Sequence, residues 1–231
     1  NGEYEGYKAI DYDVDNPDEF SRAAEIRAIK YPKAYRIVPY HKNKQLMDIT
    51  EVMQTCVTLM NHFRNGLLVL EDINKYTQSH FKKEVTGTFL GNRHKGLDLL
   101  VHYQNIHKIA PTVWENIGFL RWHKEVGTID NYDNKKRMPN FEICKLAELI
   151  VDDQFDNGNN RYYLWVDIRY NKLIRVTSEM FDRAARNYLS ANPKEIKVMM
   201  NFLDDHNKKK FKNESDAMND WISVRRSRYL K

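Results

Sequence analysis

Long apolar runs, cysteine pairs and a glycine-rich phosphate loop are all missing from this chain of 231 residues. No stretch approaches the roughly 18 consecutive apolar residues of a membrane-crossing helix, so no membrane span is expected. No signal peptide is visible at the start. Cys56 and Cys144 are the only cysteines. They are too few for a disulfide framework and too far apart for a zinc knuckle, which fits a reducing compartment. The 8 histidines include His102 and His107 near Gln104, but no spacing suggests a metal site and they read as structural. Internal repeats and low-complexity tracts are absent. So is an initiator Met: the chain opens on Asn1-Gly2-Glu3-Tyr4 and reads as the continuation of a longer protein.

What is present describes a globular protein with room for a sizeable core, since 42% of residues are hydrophobic and 30% charged. The 37 basic residues face 32 acidic ones, a net charge of +5. That excess is compatible with a polyanion such as DNA and equally with an ordinary mixed surface.

The stretch from Asn65 to Ile73 organises the rest. Leu67-Leu68-Val69-Leu70 follows a turn-type Asn65-Gly66 pair and runs into Glu71-Asp72, which predicts a strand buried on both faces that delivers two acids to its C-terminal tip. Upstream, extended residues near Tyr7 to Tyr12 precede a helix opened by Pro17, Asp18 and Glu19 and ending near Lys30. A strand at 35–38 and a largely buried helix at 48–63 then lead into the organising strand. Downstream, 79–90 predicts a helix, 91–96 a polar loop, 97–103 a second buried strand tipped by Gln104, and 118–122 another strand. Three such repeats predict a parallel, doubly wound α/β sheet over 1–129.

After Gly127 the composition shifts. A basic connection with Lys135-Lys136-Arg137 precedes an appendage at 130–231, rich in helix. Its expected parts are a helix at 140–155, a hairpin over 161–176 turning at Tyr170-Asn171-Lys172, and helices at 178–189 with Ser178 as cap, 193–206 and 214–230. Tyr162, Tyr163 and Trp165 read as hairpin core in preference to a base-stacking platform.

Adjacent carboxylates at a strand tip suit a hydrated magnesium ion and the water that attacks a phosphoryl group. Glu71 and Asp72 have the type and adjacency for it; the plainer alternative is a solvated acidic turn. Gln104 could reach the same water or a terminal phosphate, or it is a loop amide bonded to backbone. Arg93, in a loop between Gly91 and Gly96, could reach a neighbouring subunit's phosphate with its always-charged fork, or belong with His94 and Lys95 to a solvated basic loop.

Taken together, these residues resemble the HerA/FtsK superfamily of ring-forming P-loop ATPases and, more loosely, its phage packaging and Zot-like branches. Gly2-Glu3-Tyr4 is similar to the segment after that family's second core strand, Leu67 to Asp72 to its Walker B strand, and Arg93-His94-Lys95-Gly96-Leu97 through Gln104 to its arginine and strand-terminal glutamine. The resemblance covers roughly the first 125 residues. It implies a P-loop-type sheet, ATP and Mg2+ held with Glu71 and Asp72, Gln104 sensing the terminal phosphate, Arg93 acting in trans, a homo-oligomeric ring, and sequence-independent contact with DNA phosphates. It also implies a cytoplasmic or virion location. The basic candidates for DNA are 135–137, Lys208-Lys209-Lys210 and Arg225-Arg226. Two departures stand out: the acids read Glu-Asp where the family commonly has Asp-Glu, and no Gly-x-x-x-x-Gly-Lys-Ser/Thr occurs, although the family would place it before Asn1. A non-catalytic structural or assembly module and a magnesium-dependent nuclease are the alternatives.

Overall fold

The computed structural model describes residues 8–11, 35–38, 45–62, 65–70, 96–103, 105, 106, 109, 111–131, 138 and 140–230. The chain divides into two compact units, Asn1–Gln104 and Asn105–Lys231. Helices expected at 17–30 and 79–90 lie outside the described residues.

In the first unit, β1 (Lys8–Asp11) and β2 (Tyr35–Val38) run parallel, with Lys8 level with Tyr35. Helix α1 (Ile49–His62) starts on a reciprocal cap. Glu51 N–H donates to Asp48 Oδ1 at 2.9 Å, and Asp48 N–H donates to Glu51 Oε2 at 2.7 Å. The pair satisfies donors that the first turn of a helix leaves without partners. Thr55, Leu59 and Met60 form its buried side.

Asn65 turns the chain through a left-handed backbone, φ 53°, into β3 (Gly66–Leu70). This strand pairs in parallel with β4 (Leu97–Val101), Leu68 level with Leu99 and Leu70 with Val101. Burial corrects the expectation of a strand covered on both sides. Leu70 and Leu97 are buried, but Leu67, Val69 and Leu100 on the other face are 58%, 46% and 41% exposed. An unbroken apolar run is compatible with one covered face or two, and only the surrounding layers decide.

Gly96 enters β4 at φ 62°, where an added Cβ would stand 2.4 Å from Asn65 Oδ1. A left-handed backbone costs an L-residue about 1–2 kcal/mol. Gly96→Ala is therefore expected to cost at least about 1 kcal/mol, read as a lower urea midpoint for the intact chain.

The second unit opens with α2 (Pro111–Trp114) and β5 (Phe119–Trp122). β5 pairs antiparallel with β6 (Leu164–Asp167), which pairs antiparallel with β7 (Lys172–Ile174). Strand 119–122 thus belongs with the hairpin and not with a parallel core. A four-residue apolar strand carries no sign of its partner; Phe119 finds Asp167 far down the chain. The hairpin itself turns where expected. Asn171 takes φ 52°, and the Asp167 carboxylate accepts from the N–H groups of Arg169 and Tyr170 at 3.1 and 3.2 Å.

Helix α3 (Phe141–Asp156) is capped by Asn140 Oδ1, which accepts from Ile143 N–H. Helix α4 (Ser178–Ala191) is capped by Thr177 and not by Ser178: Thr177 Oγ1 accepts from Met180 N–H at 3.3 Å. Helix α5 (Pro193–Met199) stops well short of 206. Asp204 competes for the backbone there, its carboxylate accepting from the N–H groups of His206 and Lys208 at 2.9 Å, and the chain folds back so that Lys210 N–H reaches Phe202 O. Helix α6 (Glu214–Leu230) closes the unit.

The core lies where these elements meet. Ile143, Leu146, Ala147 and Ile150 of α3, Leu164 and Val166 of β6, Phe181, Ala185 and Leu189 of α4, and Ala217, Trp221 and Tyr229 of α6 are buried. The fold is mixed α/β, with parallel strand pairs and a helix in one unit and an antiparallel sheet with several helices in the other. Among the described residues no helix is long and apolar enough to cross a membrane.

Candidate functional site

Glu71, Asp72, Arg93 and Gln104 all lie outside the described residues, so the structure supplies the frame that leads into them. That frame is the parallel β3–β4 pair. Leu70 is level with Val101, and His102 N–H donates to Leu70 O at 3.0 Å, carrying the ladder one step past the named strands. Both strands therefore run out at one edge. Glu71 is the next residue after Leu70, and Gln104 the third after Val101. In open parallel sheets this is the edge where ligands are held.

The described part of that edge does not by itself fit magnesium or nucleotide. Among the described residues no group of three His, Cys, Asp or Glu is placed to hold a metal ion. Among the described residues the buried Tyr103 hydroxyl has no hydrogen-bond partner, and burial pushes it up to about 12. One orphaned donor is not a phosphate cradle.

Burial disfavours the thiolate form of both cysteines. Cys144 is fully buried, and burial together with the nearby Glu148 charge pushes its thiol up to about 12; burial pushes Cys56 up to about 11.

The basic residues offered to DNA meet different fates. Lys135, Lys136 and Arg137 lie outside the described residues. Arg225 and Arg226 are corrected to structural ties. Arg225 places Nε and Nη2 on the two oxygens of Glu142 at 3.1 and 3.3 Å and stacks over Trp221 at 4.8 Å. Arg226 Nη1 donates to Asp182 Oδ2 at 2.6 Å. These bonds bind α6 to α3 and α4. Lys208, Lys209 and Lys210 remain exposed in the turn before α6, with Lys210 Nζ 3.5 Å from Asp220 Oδ2.

The hairpin aromatics also divide. Tyr162 is buried, 6% exposed, and its hydroxyl donates to Arg175 O. Tyr163 and Trp165 are half-buried on the opposite face, with Arg121 lying 3.9 Å over the Tyr163 ring. The expectation of hairpin core thus holds for Tyr162 alone. The signal was in the sequence: the period-2 pattern that turns Tyr162, Leu164 and Val166 inward turns Tyr163 and Trp165 outward.

No family model matches the sequence, and no curated protein matches it. Among solved structures, the DNA-packaging ATPase B204 of Sulfolobus turreted icosahedral virus is 13% identical, covering 74% of this chain and 83% of its own at a TM-score of 0.44. The genome-packaging NTPase B204 of Sulfolobus turreted icosahedral virus 2, in complex with ATP-gammaS, is 13% identical over 72% of this chain and 79% of its own at a TM-score of 0.43. Its AMP complex gives 12% identity and a TM-score of 0.39. At such values the likeness leaves the function of this chain to be argued from its own residues.

Proposed function

We propose that this chain forms part of an ATP-hydrolysing DNA translocase or packaging motor that works as a homo-oligomeric ring. The observation that carries the proposal is the parallel register of β3 and β4, which brings the strand ends before Glu71-Asp72 and before Gln104 level at one edge. Glu71 and Asp72 would hold magnesium and polarise the attacking water, Gln104 would sense the terminal phosphate, and Arg93 would act on a neighbouring subunit. Bound ATP and Mg2+ supply the phosphoryl group and the charge neutralisation it needs. Exposed Lys208, Lys209 and Lys210, with 135–137, would meet duplex phosphates. The setting is the cytoplasm or a virion.

ATP turnover by the intact protein tests this. Asp72→Asn and Glu71→Gln are each expected to lower turnover at least about 10-fold, in the range seen when groups at a metal site are disturbed. Chelation of magnesium should abolish turnover. Unchanged rates in both variants remove the assignment. A second reading is a sheet kept as a structural or assembly module without hydrolysis. Duplex binding without any magnesium-dependent turnover selects it.

A further inference from the structure

The antiparallel sheet of the second unit has one face in the core and one in solvent, and the outer face has an unusual composition. Register places Arg121, Trp165 and Ile174 side by side across β5, β6 and β7, with Phe119, Asp167 and Lys172 in the next rung. His123 and Tyr163 continue the same face beyond the strand ends, their rings 5.4 Å apart. Phe119 and Ile174 are 48% and 46% exposed. Three guanidiniums lie over rings here: Arg121 at 3.9 Å and Arg175 at 4.2 Å over Tyr163, and Arg169 at 5.0 Å over Phe119. None of the three is paired with a carboxylate among the described residues. The one acid in these rungs, Asp167, is buried and spent on the N–H groups of the hairpin turn.

A guanidinium held flat on an aromatic ring keeps its N–H edge free for phosphate and its outer plane free for a base. Arg175 adds a second sign. Its backbone is left-handed, φ 72°, a conformation that glycine adopts without strain, yet the position carries an arginine whose side chain covers Tyr163. Stability alone would favour glycine there.

We infer that the outer face of the β5–β6–β7 sheet binds single-stranded nucleic acid, stacking unpaired bases on Trp165 and on the arginine-covered Tyr163 and neutralising phosphates with Arg121, Arg169 and Arg175. A duplex would use the cations but buries its base faces, and an acidic peptide would use the cations but has nothing to stack on the half-exposed rings. The site is independent of nucleotide hydrolysis, so loss of ATP turnover in the Asp72 and Glu71 variants neither supports nor damages it.

The test uses the intact chain and a labelled oligothymidylate of about 16 nucleotides, the upper end of a single-module site. Of the 4 tryptophans, Trp114, Trp122 and Trp221 are 1%, 4% and 2% exposed, which leaves Trp165 as the one open to a base. Single strand is expected to bind more tightly than a duplex of equal length, with quenching of tryptophan emission. Arg121→Gln and Arg175→Gly should each weaken binding about fivefold, the low end for a lost stacking or charge contact. Because Arg175→Gly also relieves backbone strain, its melting temperature should stay level or rise, which separates lost binding from lost folding. Trp165→Phe should keep binding and lose the quench. The inference is overturned if the single strand fails to bind, if a variant combining Arg121→Gln with Arg175→Gly binds as the parent does, or if polyglutamate or duplex competes as well as single strand.

Discussion

Replacing Glu148 with alanine is expected to destabilise the second unit by about 3–5 kcal/mol, the range for breaking a buried charged pair from one side. Glu148 is 5% exposed, and its carboxylate is fully engaged. Oε1 accepts from Ile129 N–H at 2.8 Å, and Oε2 accepts from Thr128 Oγ1 at 3.2 Å and from Lys145 Nζ. Lys145 Nζ also reaches Asp130 Oδ2 at 2.7 Å. One acid thus pins the short turn at Ile129–Asn131 to α3 across an intervening loop. Alanine leaves the Ile129 N–H buried without a partner and the Lys145 ammonium short of half its compensation. Glu148→Gln should cost less, because the amide oxygen still accepts from Ile129. The effect depends on pH. Burial alone would lower the Lys145 pKa, but the bonds and charges of Asp130 and Glu148 outweigh it and hold it above the ordinary 10.5. The stabilisation is therefore complete below pH 10.5 and fades as pH rises through the raised value, so the gap between parent and Glu148→Ala should narrow in alkali. Urea unfolding followed by tryptophan emission, at neutral and at high pH, measures both; a gap that widens with pH contradicts the assignment.

Phe181→Ala is expected to cost a comparable amount, about 3–5 kcal/mol, by opening a cavity. Phe181 is fully buried on α4, the helix that packs on both α3 and α6, and its ring meets the Tyr229 ring edge-on at 6.3 Å. The loss should appear as a fall of roughly 6–20 °C in melting temperature, at about 2–4 °C per kcal/mol. Phe181→Leu, which keeps most of the volume, should cost much less. Equal costs for the two substitutions would mean that shape at this position is immaterial. A second feature stabilises the same helix junction: the Tyr229 hydroxyl donates to Glu142 Oε1 at 2.6 Å, beside the Arg225 fork.

Much of this second unit was legible in the residue order. The apolar spacing of α3, the hairpin turn at Asn171 and the span of α6 at Glu214–Leu230 follow from local pattern, because helix faces and tight turns are decided within a few residues. Partners separated by long stretches of chain were not legible. Nothing near Phe119 announces Asp167 as its neighbour, and nothing near Arg225 or Arg226 announces Glu142 or Asp182. The acid at position 148 looks like a surface residue of an amphipathic helix until the turn at Ile129 is laid against it. The candidate site is the reverse case. Its motif is read from sequence alone, at Glu71, Asp72, Arg93 and Gln104, and the structure contributes the parallel strands that precede two of its three segments.

The sequence by itself determined where most of the described strands and helices form, that two acids follow one apolar strand and a glutamine the next, and that one side of the hairpin is apolar. Those properties depend on side-chain spacing along a few turns or rungs. Only the tertiary structure decided which faces are covered, which arginines are bound to carboxylates and which lie over rings in solvent. Burial and charge pairing are set by segments far apart in the chain, and no local pattern encodes them.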